Sequence, residues 1–149
     1  MEDRHTYNLD LEWQKDRIGL ISSPELNEKI TVATPPEFPK GVEGIWSPEH
    51  LFTGAVLSCF MTTFLAMAEY SKLEFSKFDC KAQGVLEKVD GKFKMSEIIL
   101  KPSIILNEES KTDRVIRLME KAEASCLISN SIKSSVKLDF SAIQVSESV

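Results

Sequence analysis

The chain has 149 residues, with 18 Lys plus Arg against 23 Asp plus Glu and a formal net charge of −5. That length predicts one domain over residues 1–149, able to bury about 70% of its unfolded surface without disulfide or metal staples. Negative charge with no Lys/Arg run argues against nucleic acid as a partner, because phosphate-backbone affinity needs clustered positive charge. Three cysteines cannot all pair within one chain, which favours a reducing compartment over a secreted disulfide scaffold. Met1 to Asp10 mixes acids and bases without an apolar core, so no signal peptide is visible and the expected location is the cytoplasm. The two histidines, His5 and His50, sit in no zinc-binding spacing. Any catalysis then falls to sulfur or carboxylate.

Tyr7, Leu9, Leu11 and Trp13 alternate with polar residues, which predicts a strand. Gln14 to Arg17 reads as a turn into a second strand, Ile18 to Ser22, and the β-branched run Lys29 to Ala33 reads as a third. Thr34 to Ser47, with Pro35, Pro36, Pro39, Gly41 and Gly44, reads as a loop. Ser47-Pro48-Glu49 then supplies an N-cap, a proline at the first helical position and an acid at the positive end of the helix dipole. Leu51 to Ala68 follows with 18 uncharged residues, the length at which a membrane span must be considered. Thr53, Ser58, Cys59, Thr62 and Thr63 interrupt the run and no second span exists. The expectation is therefore a core helix buried on several sides, not a membrane segment. Gly54, Ser58 and Thr62, like Ala55, Cys59 and Thr63, recur every four residues and form a flank of short side chains. That flank suits close packing against its own chain or against a partner subunit.

Ala82 to Val89 and Lys92 to Leu100 flank Asp90-Gly91, a strong hairpin signal. Pro102 suggests an edge position or the end of regular pairing. Ser110 with Asp113 resembles a capping box, and Val115, Leu118, Met119, Ala122 and Cys126 share one face of the helix that follows. Ile132, Val136, Leu138, Phe140 and Ile143 suggest a last strand. The order of elements predicts the α+β class, with an antiparallel sheet covered by a long central buried helix and a second helix.

Cys59 lies in the middle of the first helix and Cys126 faces inward at the end of the second, so helix packing can bring them together. Reactivity also requires a cation or a helix N-terminus beside the thiol. Arg4, Arg17, Arg114 and Arg117 are the arginines available, and of these Arg17, in the turn after the first strand, is the one placed to point into a pocket.

Three blocks then become recognisable: Trp46-Ser47-Pro48-Glu49-His50-Leu51-Phe52, Leu57-Ser58-Cys59-Phe60-Met61-Thr62, and Ala122-Glu123-Ala124-Ser125-Cys126-Leu127-Ile128-Ser129-Asn130-Ser131. They resemble the signature blocks of the OsmC/Ohr family of hydroperoxide reductases, and the likeness runs from about Thr34 to Ile143. The resemblance implies a peroxidatic cysteine at Cys59, a resolving cysteine at Cys126, and Arg17 and Glu49 as the pair that activates the thiolate. It also implies an intertwined homodimer, an organic hydroperoxide as substrate, no bound cofactor, and an external dithiol such as a lipoyl group or a small thiol as reductant. Many members have Pro after the resolving cysteine, where this chain has Leu127. Ten residues of continuous helix rise about 15 Å, so Glu49 and Cys59 of one helix cannot both touch one substrate oxygen. Either the helix begins later than Ser47 or Glu49 serves the Cys59 of another subunit. The second agrees with the flank of short side chains and with the implied homodimer, so the expected site is shared, with Arg17 and Glu49 of one chain facing Cys59 and Cys126 of the other. Phe52, Phe60, Met61 and Phe64 are candidates for an apolar entrance, and Cys80 matches neither reactive cysteine. Two other readings stand beside this one: a noncatalytic dimer that binds a small apolar ligand, and a cysteine hydrolase using Cys59 and His50.

Overall fold

Polar and apolar residues alternate up to the Asp16-Arg17 turn, and the chain there forms a hairpin of β1 (Asp10–Lys15) and β2 (Ile18–Ser22). Asp16 takes a left-handed φ of 49°, which a short polar side chain tolerates. Trp13 Nε1–H donates to its carbonyl at 3.0 Å. β3 (Ile30–Ala33) completes an antiparallel sheet in the order β1-β2-β3. In this computed structural model, which describes residues 3–106, 108 and 111–145, the sheet belongs to the first of two compact units, Met1–Leu51 and Phe52–Val149. Every residue of β1 is exposed, Trp13 at 73% and Leu11 at 69%.

The proline-rich segment is a loop, as expected, and ends at the N-cap. The Ser47 hydroxyl accepts the His50 N–H at 3.1 Å and opens α1 (Pro48–Tyr70). The second unit is built on a hairpin of β4 (Phe75–Val89) and β5 (Lys92–Leu106), joined by Asp90 and Gly91 at φ 52° and 78°, the paired positive values that a tight primed turn requires. After β5 come α2 (Thr112–Ser125), a short 3-10 turn (Ser129–Ser131), β6 (Ser135–Leu138) and β7 (Gln144–Val145). The expected capping box involves Ser110, which lies outside the described residues; the residue before α2 is Lys111.

Three expectations need correction. Both strands of the hairpin are longer than predicted, and β5 continues through a buried Pro102 opposite Cys80. β6 pairs β5 only from Glu97 to Leu100, and β7 only at Ile105 and Leu106. Pro102 falls between them, where that side of β5 has no strand partner among the described residues, so a residue without an N–H is tolerated. The predicted last strand is two short strands, both parallel to β5, because the connection through α2 is long enough to return the chain in the same direction. Finally, α1 is not buried on several sides. Its fully buried stripe is Val56, Phe60, Phe64 and Ala68, whereas Ser58, Met61, Thr62 and Ala66 are exposed. Phe52, Leu57, Leu65 and Met67 are only partly buried against the same cluster, so among the described residues the cover that the chain gives α1 is one-sided.

The core follows from two periodicities. The α1 stripe at every fourth residue meets Ile98, Leu100, Ile104 and Leu106, the inward set of β5 at every second residue, and Val115, Met119 and Ala122 of α2 close the cluster. Phe64 stacks on Phe78 with centroids 5.0 Å apart. Gly84 of β4 is required by close approach, since a Cβ there would collide with Thr53 Oγ1 of α1 and Met95 Cε of β5.

Two substitutions test this packing in urea denaturation. Phe64→Ala is expected to cost about 3–5 kcal/mol through the cavity it leaves. Gly84→Ala is expected to cost about 1–3 kcal/mol through overpacking.

Candidate functional site

Cys59 follows Val56 by three residues and precedes Phe60, so the stripe that anchors α1 fixes the direction of its side chain. Cys126 follows the buried Ala122 by one turn and is itself fully buried. Its N–H donates to the Glu123 carbonyl at 3.1 Å, and its backbone turns extended (φ −66°, ψ 117°), ending α2. The chain then curls back, with the Asn130 N–H on the Cys126 carbonyl at 3.0 Å, Asn130 Nδ2 on the Ala124 carbonyl at 3.1 Å and Ser131 Oγ on the Leu127 carbonyl at 2.6 Å. This curl presents the N–H groups of Leu127 and Ile128 in succession.

Those elements bring Cys59 and Cys126 together as free thiols. Burial is the largest single influence on Cys59 and pushes its pKa up. Donors outweigh it: the Cys126 side chain, the Ile128 N–H, Thr63 and the Leu127 N–H together hold Cys59 below the ordinary thiol value. Thr63 Oγ1 stands 4.0 Å from the sulfur. Cys126 moves the other way. Burial pushes it up, its bond to Cys59 adds to this, and the side chain and N–H of Ser129 only partly oppose it. The pair therefore divides into one thiol that ionises early and one that holds its proton, with the backbone N–H groups acting as a small anion cradle.

Arg17 and Glu49 lie in the other unit. Arg17 is exposed at the β1–β2 turn and lines a cavity of about 290 Å³ with Trp13, Ile18, Val32 and Pro48. Glu49 is partly buried in the first turn of α1, and the helix runs unbroken past Cys59. His50 is exposed, its Nδ1 2.7 Å from Ser47 Oγ, engaged at the N-cap. Of the entrance candidates, Phe60 and Phe64 are core residues at 0% exposure; Met61 is exposed and Phe52 partly so. Cys80 sits within β4 and burial pushes its thiol up to about 11. Sequence reasoning missed the backbone donors at Leu127 and Ile128 and also missed Ser129. The former carry no side-chain signal, while a hydroxyl three residues after a cysteine was a signal available to be read.

Fold and site together define an α+β protein with an asymmetric pair of thiols at the meeting of its two helices. A family model described as OsmC-like protein matches residues 41–141, and the chain belongs to that family. It is 33% identical over 147 residues to the uncharacterized protein YmaD of Bacillus subtilis strain 168, covering 95% of each chain. Among solved structures it is similar to an OsmC-like protein of unknown function from Vibrio cholerae (TM-score 0.82, 22% identity, covering 94% of this chain and 99% of that one). It is also similar to the organic hydroperoxide resistance protein OhrB of Bacillus subtilis (TM-score 0.68, 19% identity, covering 95% and 98%).

The asymmetry has a direct readout. Bimane labelling near neutral pH is expected to modify Cys59 ahead of Cys80 and Cys126, and its rate falls as pH drops through the lowered Cys59 pKa. Cys126→Ala removes a donor to Cys59, so the midpoint of that profile moves to higher pH; an unmoved midpoint contradicts the assigned cause.

Proposed function

We infer that this protein is a thiol-dependent peroxidase that reduces organic hydroperoxides to alcohols. The observation that carries this reading is the juxtaposition of a donor-stabilised Cys59 with a protonated Cys126. The Cys59 thiolate attacks the terminal oxygen of the O–O bond, the bond breaks with its electron pair on the alkoxide, and Cys59 becomes a sulfenic acid while the alkoxide takes a proton and leaves as alcohol. The Cys126 sulfur then displaces the sulfenic oxygen as water, and a Cys59–Cys126 disulfide forms. An external dithiol, a lipoyl group or a small thiol, reduces it by exchange. A reducing cytoplasm suits such a cycle.

In this reading Arg17 and Glu49 act on Cys59 of a second chain, with a bidentate Glu49–Arg17 pair aiming the guanidinium. The length of unbroken helix between Glu49 and Cys59 supports a shared site, and so does surface chemistry. Leu11 and Trp13 of β1 and Met61 of α1 are large apolar side chains in water, and a homodimer would cover such surfaces.

Mass spectrometry after one equivalent of cumene hydroperoxide is expected to show a disulfide joining Cys59 to Cys126 and turnover that Cys59→Ser abolishes. Equal turnover by that variant excludes the mechanism. Sharing is tested by co-expressing Cys59→Ser chains with Arg17→Ala chains. Each mixed dimer holds one intact site if sites are shared, so about a quarter of parental activity returns. None returns if Arg17 serves the cysteine of its own chain.

A further inference from the structure

The resolving step leaves one requirement unmet by the groups described so far. Cys126 is the thiol that keeps its proton, yet it attacks as a thiolate, so some group must receive that proton during the attack. We propose that Glu123 and Ser129 form a relay for it, the Ser129 hydroxyl passing the Cys126 proton to the Glu123 carboxylate as the sulfur attacks oxidised Cys59. The inference rests on the redox reading of the two cysteines and adds residues to it.

The placement is local and pinned. Glu123 lies three residues before Cys126, and its carbonyl accepts the Cys126 N–H that ends α2. Ser129 opens the 3-10 turn three residues after Cys126, and the curl that carries it is tied to α2 through Asn130. The Ser129 hydroxyl oxygen is buried and closes no hydrogen bond of ordinary geometry among the described residues. It is nonetheless near enough to favour the charged forms of both Glu123 and Cys126. A buried hydroxyl without a closed bond is costly unless another state of the site uses it, and an ionising Cys126 provides that state. Burial raises the Glu123 carboxyl above the usual carboxylate range, with Ser129 opposing, which brings the acceptor closer to the thiol it serves.

The step balances. The thiol proton goes by way of the Ser129 hydroxyl to the Glu123 carboxylate, the Cys126 electron pair forms the S–S bond, and the sulfenic oxygen leaves as hydroxide. The proton held by Glu123 then returns through Ser129 to make water. No proton is gained or lost, and Glu123 ends as it began. In the relay Ser129 is the group that meets the reacting thiol, whereas Glu123 acts through it and is a positioning residue.

The test separates the two chemical steps in the full-length protein. Rapid quench with cumene hydroperoxide follows Cys59 sulfenate by dimedone trapping and the disulfide by mass spectrometry. In Glu123→Gln and Ser129→Ala, the rate of disulfide formation relative to sulfenate formation is expected to fall by about ten- to a hundredfold. Glu123→Asp and Ser129→Thr, which keep a carboxylate and a hydroxyl, recover much of the loss. An unchanged ratio overturns the relay, and so does a loss that the conservative variants fail to recover, since packing alone would then explain it. A parallel arm replaces hydroperoxide with diamide, which adds to Cys59 and leaves as a hydrazine when Cys126 attacks. Slowing of that displacement in Glu123→Gln supports the relay even if cumene hydroperoxide proves inert. A diamide rate equal to the parent's overturns it whatever the hydroperoxide does.

Discussion

Val56, Phe60, Phe64 and Ala68 lie along one line of α1, and their burial against β5 and α2 is the contact on which the placement of everything else in the second unit depends. Fully burying an aromatic side chain is worth about 1.5–3 kcal/mol, and this line holds two. The rotation of α1 about its own axis is thereby fixed, so Cys59, one residue before Phe60, has one direction available to it. The same cluster anchors Val115, Met119 and Ala122, which fixes α2 and carries Cys126 at its end. Two sulfurs 67 residues apart in sequence meet because a single apolar cluster orients both helices.

What distinguishes the two thiols is first the bond between them, which lowers Cys59 and raises Cys126, and then the backbone around Cys59. Cys126 ends a helix, and the chain beyond it is held in a curl by bonds from Asn130 and Ser131 to carbonyls at the end of α2 and just after it. That curl turns two successive N–H groups toward Cys59. Fixed dipoles of this kind need no rearrangement when charge appears. Leu127 has an N–H, and that N–H is one of the donors to Cys59. Proline at that position would have no hydrogen to give.

Local signals were readable wherever one or two residues decide the outcome. Ser47-Pro48 marked the start of α1, Asp90-Gly91 marked the hairpin, and the period of α2 placed Cys126 inward. Other features depended on what a segment meets in space. Pro102 reads as either an edge position or a strand end, and only the pairing of β5 decides for a stretch of edge, unpartnered among the described residues. The uncharged run of α1 reads as a helix buried on several sides, but uncharged residues do not say how much surface one chain has to cover them. The cysteines were visible as candidates; the N–H cradle was not, because any residue type except proline supplies the same donor.

The position of Cys80 has a consequence for the covalent integrity of the chain. A third sulfur beside two that approach each other invites scrambling, in which the wrong disulfide forms and locks the protein in a dead state. Thiol–disulfide exchange proceeds through the thiolate, and with a pKa of about 11 only about one Cys80 in ten thousand is ionised near neutral pH. Its burial in the middle of β4 therefore acts as insulation, keeping a third cysteine out of exchange by holding its proton in place.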